Sequence, residues 1–562
     1  MERHTLGRSG RLPAGDNRPD DQPGINGAIT LRRGQDSGQD GGQDGGQDSG
    51  QDGGQIGGQA VTGYVCTVDV ADIGQTEKAV LVADCEQVLD RTAVPGSGGC
   101  RSSGTPRANS SAPSRATRRR LRRAERRKRA GPPAPGGGTH RGMSAPGAGV
   151  PQQTVTLRPI AAEEFPAFYR LVSDVFNSDV RDADREHEFA VFEPERSLAA
   201  FDDKDMVGTA TIYTRTMTVP GGQLPVAAVS FVGVAPTHRR RGVLTSMMRR
   251  QLAELYEQQR EPVAVLWASE TVIYQRFGYG QAATGAQLTA RTPALRLRPE
   301  TDTGTGRVRL VGEEEARPHL AAVYEAVRPQ STGFLDRPGR WWDSRLYDPE
   351  HQRDGATSLR FALYEELAGQ ATGYAVYRTK AKWADWDEPA SELNIREIFG
   401  TTPQAYAGLW AFLAGLDLVR KVERFHGPID EPLTYLVADA RAVQLRKADN
   451  LWVRVTDVGR ALTGRSYAAE VDVVLEVADP FCPWNAGRWR LSGGTDGATC
   501  ERTTDAADLA LTGTELGAAY LGGTSLHTLA AAGRVRELRG GALHAAATAF
   551  GSERPPWCPE VF

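Results

Sequence analysis

The stretch Val232-Gly-Val-Ala-Pro-Thr-His-Arg-Arg-Arg-Gly-Val-Leu244 decides the fold. It joins an apolar run, Val226–Val234, to a segment carrying Leu244, Met248, Leu252 and Leu255 on one stripe at helical spacing. The near-continuous run predicts a strand covered on both faces, and the stripe predicts an amphipathic helix over Val243–Tyr256. Pro236 ends the strand. A helix starting directly after a buried strand offers unpaired N–H groups and about half a positive charge to an anion. Arg239, Arg240 and Arg241 add fixed charge at that junction, and Gly242 lets the backbone approach a phosphate with no Cβ in the way. Three arginines alone read equally well as a solvated basic helix start. Set between this strand and this helix, they read as a pyrophosphate cradle.

Downstream, Val263–Ala268 reads as the next buried strand and leads into Ala268-Ser-Glu-Thr-Val-Ile-Tyr-Gln-Arg-Phe-Gly-Tyr-Gly280. Upstream, Thr154–Arg158 alternates like a first strand. Strands and helices therefore alternate over about 153–300. A second α/β unit spans about 301–452, with strands Gly373–Arg378 and Leu393–Phe399 and a helix Ala405–Leu418 in the same order. There Ile398-Phe-Gly-Thr-Thr-Pro403 occupies the cradle position without an arginine-rich turn, so no cofactor is expected in that unit. The last unit, about 453–562, opens with strand-like Leu451–Val458 and Glu470–Val477. It closes with helices around Gly513–Leu521 and Ser525–Ala532, an α+β pattern.

A length of 562 residues suits three or four domains. A formal net charge of -3 makes no electrostatic case for nucleic acid or an acidic membrane as partner. No apolar run approaches the roughly 20 residues of a membrane helix, and no leader peptide is evident. The 6 cysteines, at 66, 85, 100, 482, 500 and 558, form no CxxC pair, which points to reduced thiols, no metal and a cytoplasmic protein. Residues 1–142 read as a disordered, low-complexity extension. Gln-Asp-Gly-Gly and Gln-Asp-Ser-Gly units repeat from Gly34 to Gly54, and nine residues of Arg118–Arg129 are Arg or Lys. Such a basic block suits nucleic acid or an anionic surface. The plainer reading is upstream sequence translated from an early start codon, because Met143 opens a more ordinary protein.

Arg239-Xaa-Xaa-Gly242 matches the Q/R-x-x-G-x-G/A turn of the GNAT superfamily of N-acetyltransferases, with Leu244 where that superfamily usually has Gly or Ala. Ser230–Leu244 as a whole resembles one branch, the Eis (enhanced intracellular survival) acetyltransferases, in which a bulky aliphatic residue is usual there. Ile273-Tyr-Gln-Arg-Phe-Gly-Tyr-Gly280 closely follows that branch's Ile-Tyr-Gly-Arg-Phe-Gly-Tyr-Gly. Leu511–Gly522 and Leu529–Val535 resemble its C-terminal domain, and the likeness spans essentially Met143–Phe562. The resemblance implies an N-terminal GNAT domain, a degenerate GNAT-like domain, a sterol-carrier-protein-like domain and a homohexamer. It also implies acetyl-CoA as co-substrate, held by Val232, Gly233, Val234, Arg239, Arg240, Arg241, Gly242, Val243, Leu244 and Thr245. Ser269 and Glu270 match a further cofactor contact, and Phe231 would line the acceptor pocket.

Attack of an amine on a thioester needs a base for the ammonium proton and an acid near the departing sulfur. A tyrosine, with a reference pKa of about 10, stays protonated at neutral pH. By spacing alone Tyr274 reads as a core ring, like Phe277 and Tyr279; the resemblance implies that it is the general acid. Spacing singles out no carboxylate as base, and His238 reads as a packing or capping residue. The resemblance implies that the terminal carboxylate, on Phe562, serves as the base. Val561 stands where better-known members carry an acidic side chain, so the acceptor stays open between an aminoglycoside-like polyamine and a protein lysine. A non-catalytic small-molecule or lipid-binding protein is the alternative from another class. The retained Gly242, Tyr274 and Phe562 argue against it.

Overall fold

The computed structural model describes residues 155–562 and, before them, only short strands such as Asn26–Thr30 and Val65–Asp69, which pair antiparallel. The remainder of the 1–142 segment, on which the reading of a disordered extension rests, lies outside the described residues. The strand expected from residue 154 begins at Thr156.

Numbering from there, the first sheet contains β1 (Thr156–Arg158), β2 (Ser197–Asp202), β3 (Asp205–Val219), β4 (Gly222–Val234), β5 (Val263–Trp267) and β6 (Gly280–Gln281). Its helices are α1 (Phe165–Phe176), α2 (Asp182–Phe189), α3 (Val243–Glu257) and the short α4 (Thr271–Tyr274). α3 is the expected amphipathic helix, turned slightly from the predicted stripe. Val243, Met247, Met248, Leu252 and Leu255 enter the core against Ile212, Ala227, Val229 and Leu266, while Leu244 stays at its margin. At about 25 cal/mol per Å² of apolar surface, that face supplies most of the helix's stability.

The second sheet contains β7 (Thr284–Arg291), β8 (Arg307–Val311), β9 (Arg360–Glu365), β10 (Ala371–Lys380), β11 (Ser391–Gly400), β12 (Val419–Pro428) and β13 (Val443–Asp449). Its helices include α5 (Glu313–Val327), α6 (Arg340–Leu346) and α7 (Pro403–Ala414). α7 ends four residues before the expected Leu418, because Gly415 caps it and Leu418 takes a left-handed φ of 65°.

β14 (Leu451–Val455) then returns to the first sheet, whose order is β6-β14-β5-β4-β3-β2-β1; the second runs β8-β9-β10-β11-β12-β7-β13. Two border strands thus cross the boundaries read from sequence. β7, read with the first unit, completes the second sheet, and β14, read as opening the last unit, is interior to the first. Every residue of β14 is buried. A strand that apolar needs cover on both sides, which the edge of β5 and the last domain provide.

That last domain has β15 (Val471–Ala478), β16 (Gly487–Gly494), β17 (Gly497–Arg502), β18 (Leu509–Thr512) and β19 (Arg536–Glu537), with helices α8 (Val458–Thr463), α9 (Gly513–Ala519), α10 (Leu526–Ala531) and α11 (Ala542–Phe550). Leu475, Leu491, Leu516, Tyr520 and Phe550 share one continuous core with Val263, Val265 and Val453 of the first sheet. Beyond α11 the chain runs back across both sheets. Trp557 N–H donates to the Thr332 carbonyl (3.1 Å), and the Asn450 side chain pairs with both backbone groups of Cys558 (2.7 and 3.0 Å).

Candidate active site

The turn before α3 leaves backbone donors without a side-chain cap. Arg240 and Gly242 both take positive φ, 63° and 84°, which swings the chain into the helix. The first helical bond after the turn runs from Ser246 N–H to the Gly242 carbonyl (2.9 Å), so the N–H groups of Val243, Leu244 and Thr245 have no intrahelical acceptor. Gly242 has no side chain to cap them. A Cβ built on it meets no atom within 4 Å, so the space over the helix end is open. Arg239, Arg240 and Arg241, in that turn, are exposed at the surface. These groups fit a pyrophosphate. His238 bonds to Asp202 (3.1 Å) and Thr237 (2.8 Å), fastening the turn to β2. The equivalent junction at α7 is closed differently: the Thr402 hydroxyl accepts from Ala405 N–H (3.1 Å), and a Cβ on Gly400 would lie 2.9 Å from the Tyr406 nitrogen.

The strand leading to this turn is bent. β4 pairs in parallel with β5 only from Val226↔Val263 to Ala228↔Val265, and beyond that the two strands separate. On its other side, the register with β3 shifts between Thr209 and Thr211. At that bulge Phe231 takes a φ of 51°, and Thr209 Oγ1 donates to its carbonyl (2.8 Å). Val232, Gly233 and Val234 continue from the bulge to the cradle. The Phe231 ring meets Phe168 and Tyr213 edge-on at 6.3 and 6.4 Å.

Two further predicted groups lie after β5 and at the last residue. Tyr274 ends α4, after the exposed Ser269 and Glu270 that follow β5. Its ring is only 5% exposed and meets Tyr279 edge-on at 5.9 Å. Burial, with the Glu270 carboxylate beside it, pushes its hydroxyl up to about 12. Phe277 and Tyr279, read as core rings, are fully buried. Ser230 Oγ, one residue before the bulge, donates to Phe562 O at 2.9 Å. Val243 is brought to the turn by its N–H alone, because its side chain lies in the core.

Sequence reasoning passed over Glu188. Nothing in Asp182-Ala-Asp-Arg-Glu-His-Glu-Phe189 marks a site in sequence, yet burial and the neighbouring Asp184 raise the Glu188 carboxyl to about 7. Its field reaches Tyr213, the ring that meets Phe231. Ser230 lay inside the quoted motif, but nothing local marks it as the partner of the chain end. Cys482, Cys500 and Cys558 are free and buried. Among the described residues no helix is long and apolar enough to cross a membrane, and no group of three or more His, Cys, Asp or Glu is placed to hold a metal.

Residues 156–282 and 333–455 match acetyltransferase (GNAT) domain families, and residues 458–559 match a sterol carrier protein domain. An uncharacterized N-acetyltransferase of Streptomyces avermitilis is 44% identical over 414 residues, 73% of this chain and 100% of that protein. The N-acetyltransferase Eis of Mycobacterium tuberculosis is 38% identical over 365 residues, 62% of this chain and 84% of its own. The crystal structure of Eis1 from Mycobacterium abscessus matches with a TM-score of 0.63 at 33% identity, covering 72% of this chain and 100% of that one. Domain matches and relatives agree: the chain belongs to the Eis family of GNAT N-acetyltransferases and is an acyltransferase.

Proposed function

We propose that the protein transfers an acetyl group from acetyl-CoA directly to an amine, with Tyr274 as general acid and the Phe562 carboxylate as base. The observation that carries this reading is the 2.9 Å bond from Ser230 to the chain end, which sets a carboxyl group beside the strand leading to the cradle. The N–H groups at the start of α3 and Arg239–Arg241 hold the phosphates, Val232–Val234 flank the pantetheine arm, and Ser269–Glu270 close over it. The carboxylate takes a proton from the acceptor ammonium, directly or through water. The amine nitrogen then forms its bond to the thioester carbon and sheds its remaining surplus proton to solvent, the C–S bond breaks, and the Tyr274 hydroxyl protonates the departing sulfur and regains its proton from water. Phe231 lines the acceptor side. Glu188 on α2 acts on Tyr213, the ring beside Phe231, and in its ionised form suits a cationic polyamine or a lysine.

Thiol release from acetyl-CoA, measured against an aminoglycoside, a linear polyamine, a lysine peptide and a neutral amine, tests the reading. Release dependent on the amine and faster with the cations is expected, and the ranking of peptide against polyamine decides the acceptor class. No amine-dependent release across the panel would sink it.

Gly242→Ala probes the cradle separately. In the protein the new methyl meets nothing, so the left-handed backbone strain of about 1 kcal/mol is the whole stability cost. Against a bound phosphate the methyl intrudes, and the KM for acetyl-CoA is expected to rise on the order of tenfold, or about 1.4 kcal/mol. Initial rates and a thermal melt check both parts; an unmoved KM would remove Gly242 from the cradle.

A further inference from the structure

Chain ends ordinarily fray, but this one is clamped through a buried charge. Glu560 is 3% exposed; its Oε1 lies 3.2 Å from Arg215 Nη2 and its Oε2 3.3 Å from Arg337 Nε. Arg215 comes from β3 of the first sheet, and Arg337 from the loop before α6 in the second domain. Neither side chain reaches water, at 0% and 1% exposure.

Arg215 also meets Asp336 (3.0 Å) and stacks on Trp341, while Arg337 pairs with Glu397 (2.6 Å) and stacks on Tyr324. Arg345 pairs with the same Glu397 (2.7 Å) and donates to the Pro559 carbonyl (3.4 Å). The three guanidinium groups thus face three carboxylates, Asp336, Glu397 and Glu560, and removing Glu560 would leave an uncompensated buried positive charge. Arg215 sits four residues along β3 from Thr211, the register partner of Ser230. The clamp therefore fastens the tail to the same strand pair that meets the Phe562 carboxyl.

We propose that Glu560 is a positioning residue: its pairing with Arg215 of the first domain and Arg337 of the second sets the chain end so that the Phe562 carboxylate stands at Ser230. This rests on the reading of that carboxylate as the base. It also gives the second domain a task in catalysis, through Arg337, Arg345 and Glu397, that requires no cofactor of its own.

Glu560→Gln keeps the shape and removes the charge, and Arg337→Lys keeps the charge and removes the fork, so the second variant carries the test if the first does not fold. In the full chain both are expected to lower kcat about 10–10²-fold, the effect of a misplacement near 1 Å. The KM for acetyl-CoA should stay put, the acid limb of the kcat/KM profile should move, and carboxypeptidase should release Phe562 faster than from the unaltered protein. Folded variants with unaltered kcat and unaltered resistance to carboxypeptidase would overturn the proposal, even with a lowered melting temperature. A chain lacking Phe562 separates the two ideas. If it loses turnover while Glu560→Gln does not, only the positioning role falls; if it keeps full turnover, the base assignment falls and takes this proposal with it.

Discussion

Replacing Tyr274 by phenylalanine is expected to lower kcat on the order of 10²–10⁴-fold, the usual weight of a positioned general acid, while acetyl-CoA affinity and thermal stability barely change. Phenylalanine is the informative substitution because the ring is buried in the core beside Tyr279. Alanine would remove that packing too, at about 3–5 kcal/mol, and confuse folding with chemistry. The pH dependence follows from the raised hydroxyl. Burial and Glu270 hold Tyr274 protonated up to about 12. The donor is therefore present throughout the neutral and mildly alkaline range, and the unaltered enzyme should show no loss of kcat from Tyr274 between about pH 7 and 10, where an ordinary phenol begins to ionise. Single-turnover rates and calorimetric binding of acetyl-CoA check the variant; undiminished turnover would end the assignment.

Extending the chain past Phe562 is expected to lower turnover by about 10²-fold or more, because a peptide bond replaces the carboxylate with a neutral amide that cannot accept the ammonium proton. The same tag at the N-terminus serves as the control. Deleting Phe562 makes a different change: the new carboxylate sits on Val561, one Cα spacing of about 3.8 Å back along the chain. A bond to Ser230 then requires the tail to slide, and the Glu560 clamp opposes that movement. Comparing kcat for the extended, shortened and unaltered chains is the measurement. If the extended protein turns over at full rate, Phe562 leaves the mechanism and Glu188, with its carboxyl raised to about 7, becomes the base to substitute next.

The strand–turn–helix junction was legible because its determinants are neighbours. Pro236, Gly242 and the apolar stripe of α3 lie within a few turns of chain, and each acts on backbone geometry or on one helix face. The second domain's different junction was legible for the same reason, since Thr402 and Pro403 cap α7 locally. Tyr274 was half legible. Its letter and spacing suit a core ring as well as an acid, and it is packed as one; only the family motif separates the two roles. The exchange of β7 and β14 between sheets was not legible, because both strands carry the apolar pattern that either sheet would accept.

By itself the sequence determined the order of elements, the strand–turn–helix junction at Arg239–Gly242 and the family pattern around Tyr274. Those features depend on residues a few positions apart, where steric and hydrogen-bonding preferences act without help from the rest of the chain. Only the tertiary structure decided where the last residue goes. The bond from Ser230 to Phe562 spans 332 positions, and the charges that hold the tail come from Arg215, Arg337 and Glu560, on three distant segments. A glutamate is the same letter whether water or two buried guanidinium groups surround it. Its role is set by desolvation and pairing, which exist only once the sheets and the returning chain have closed around it.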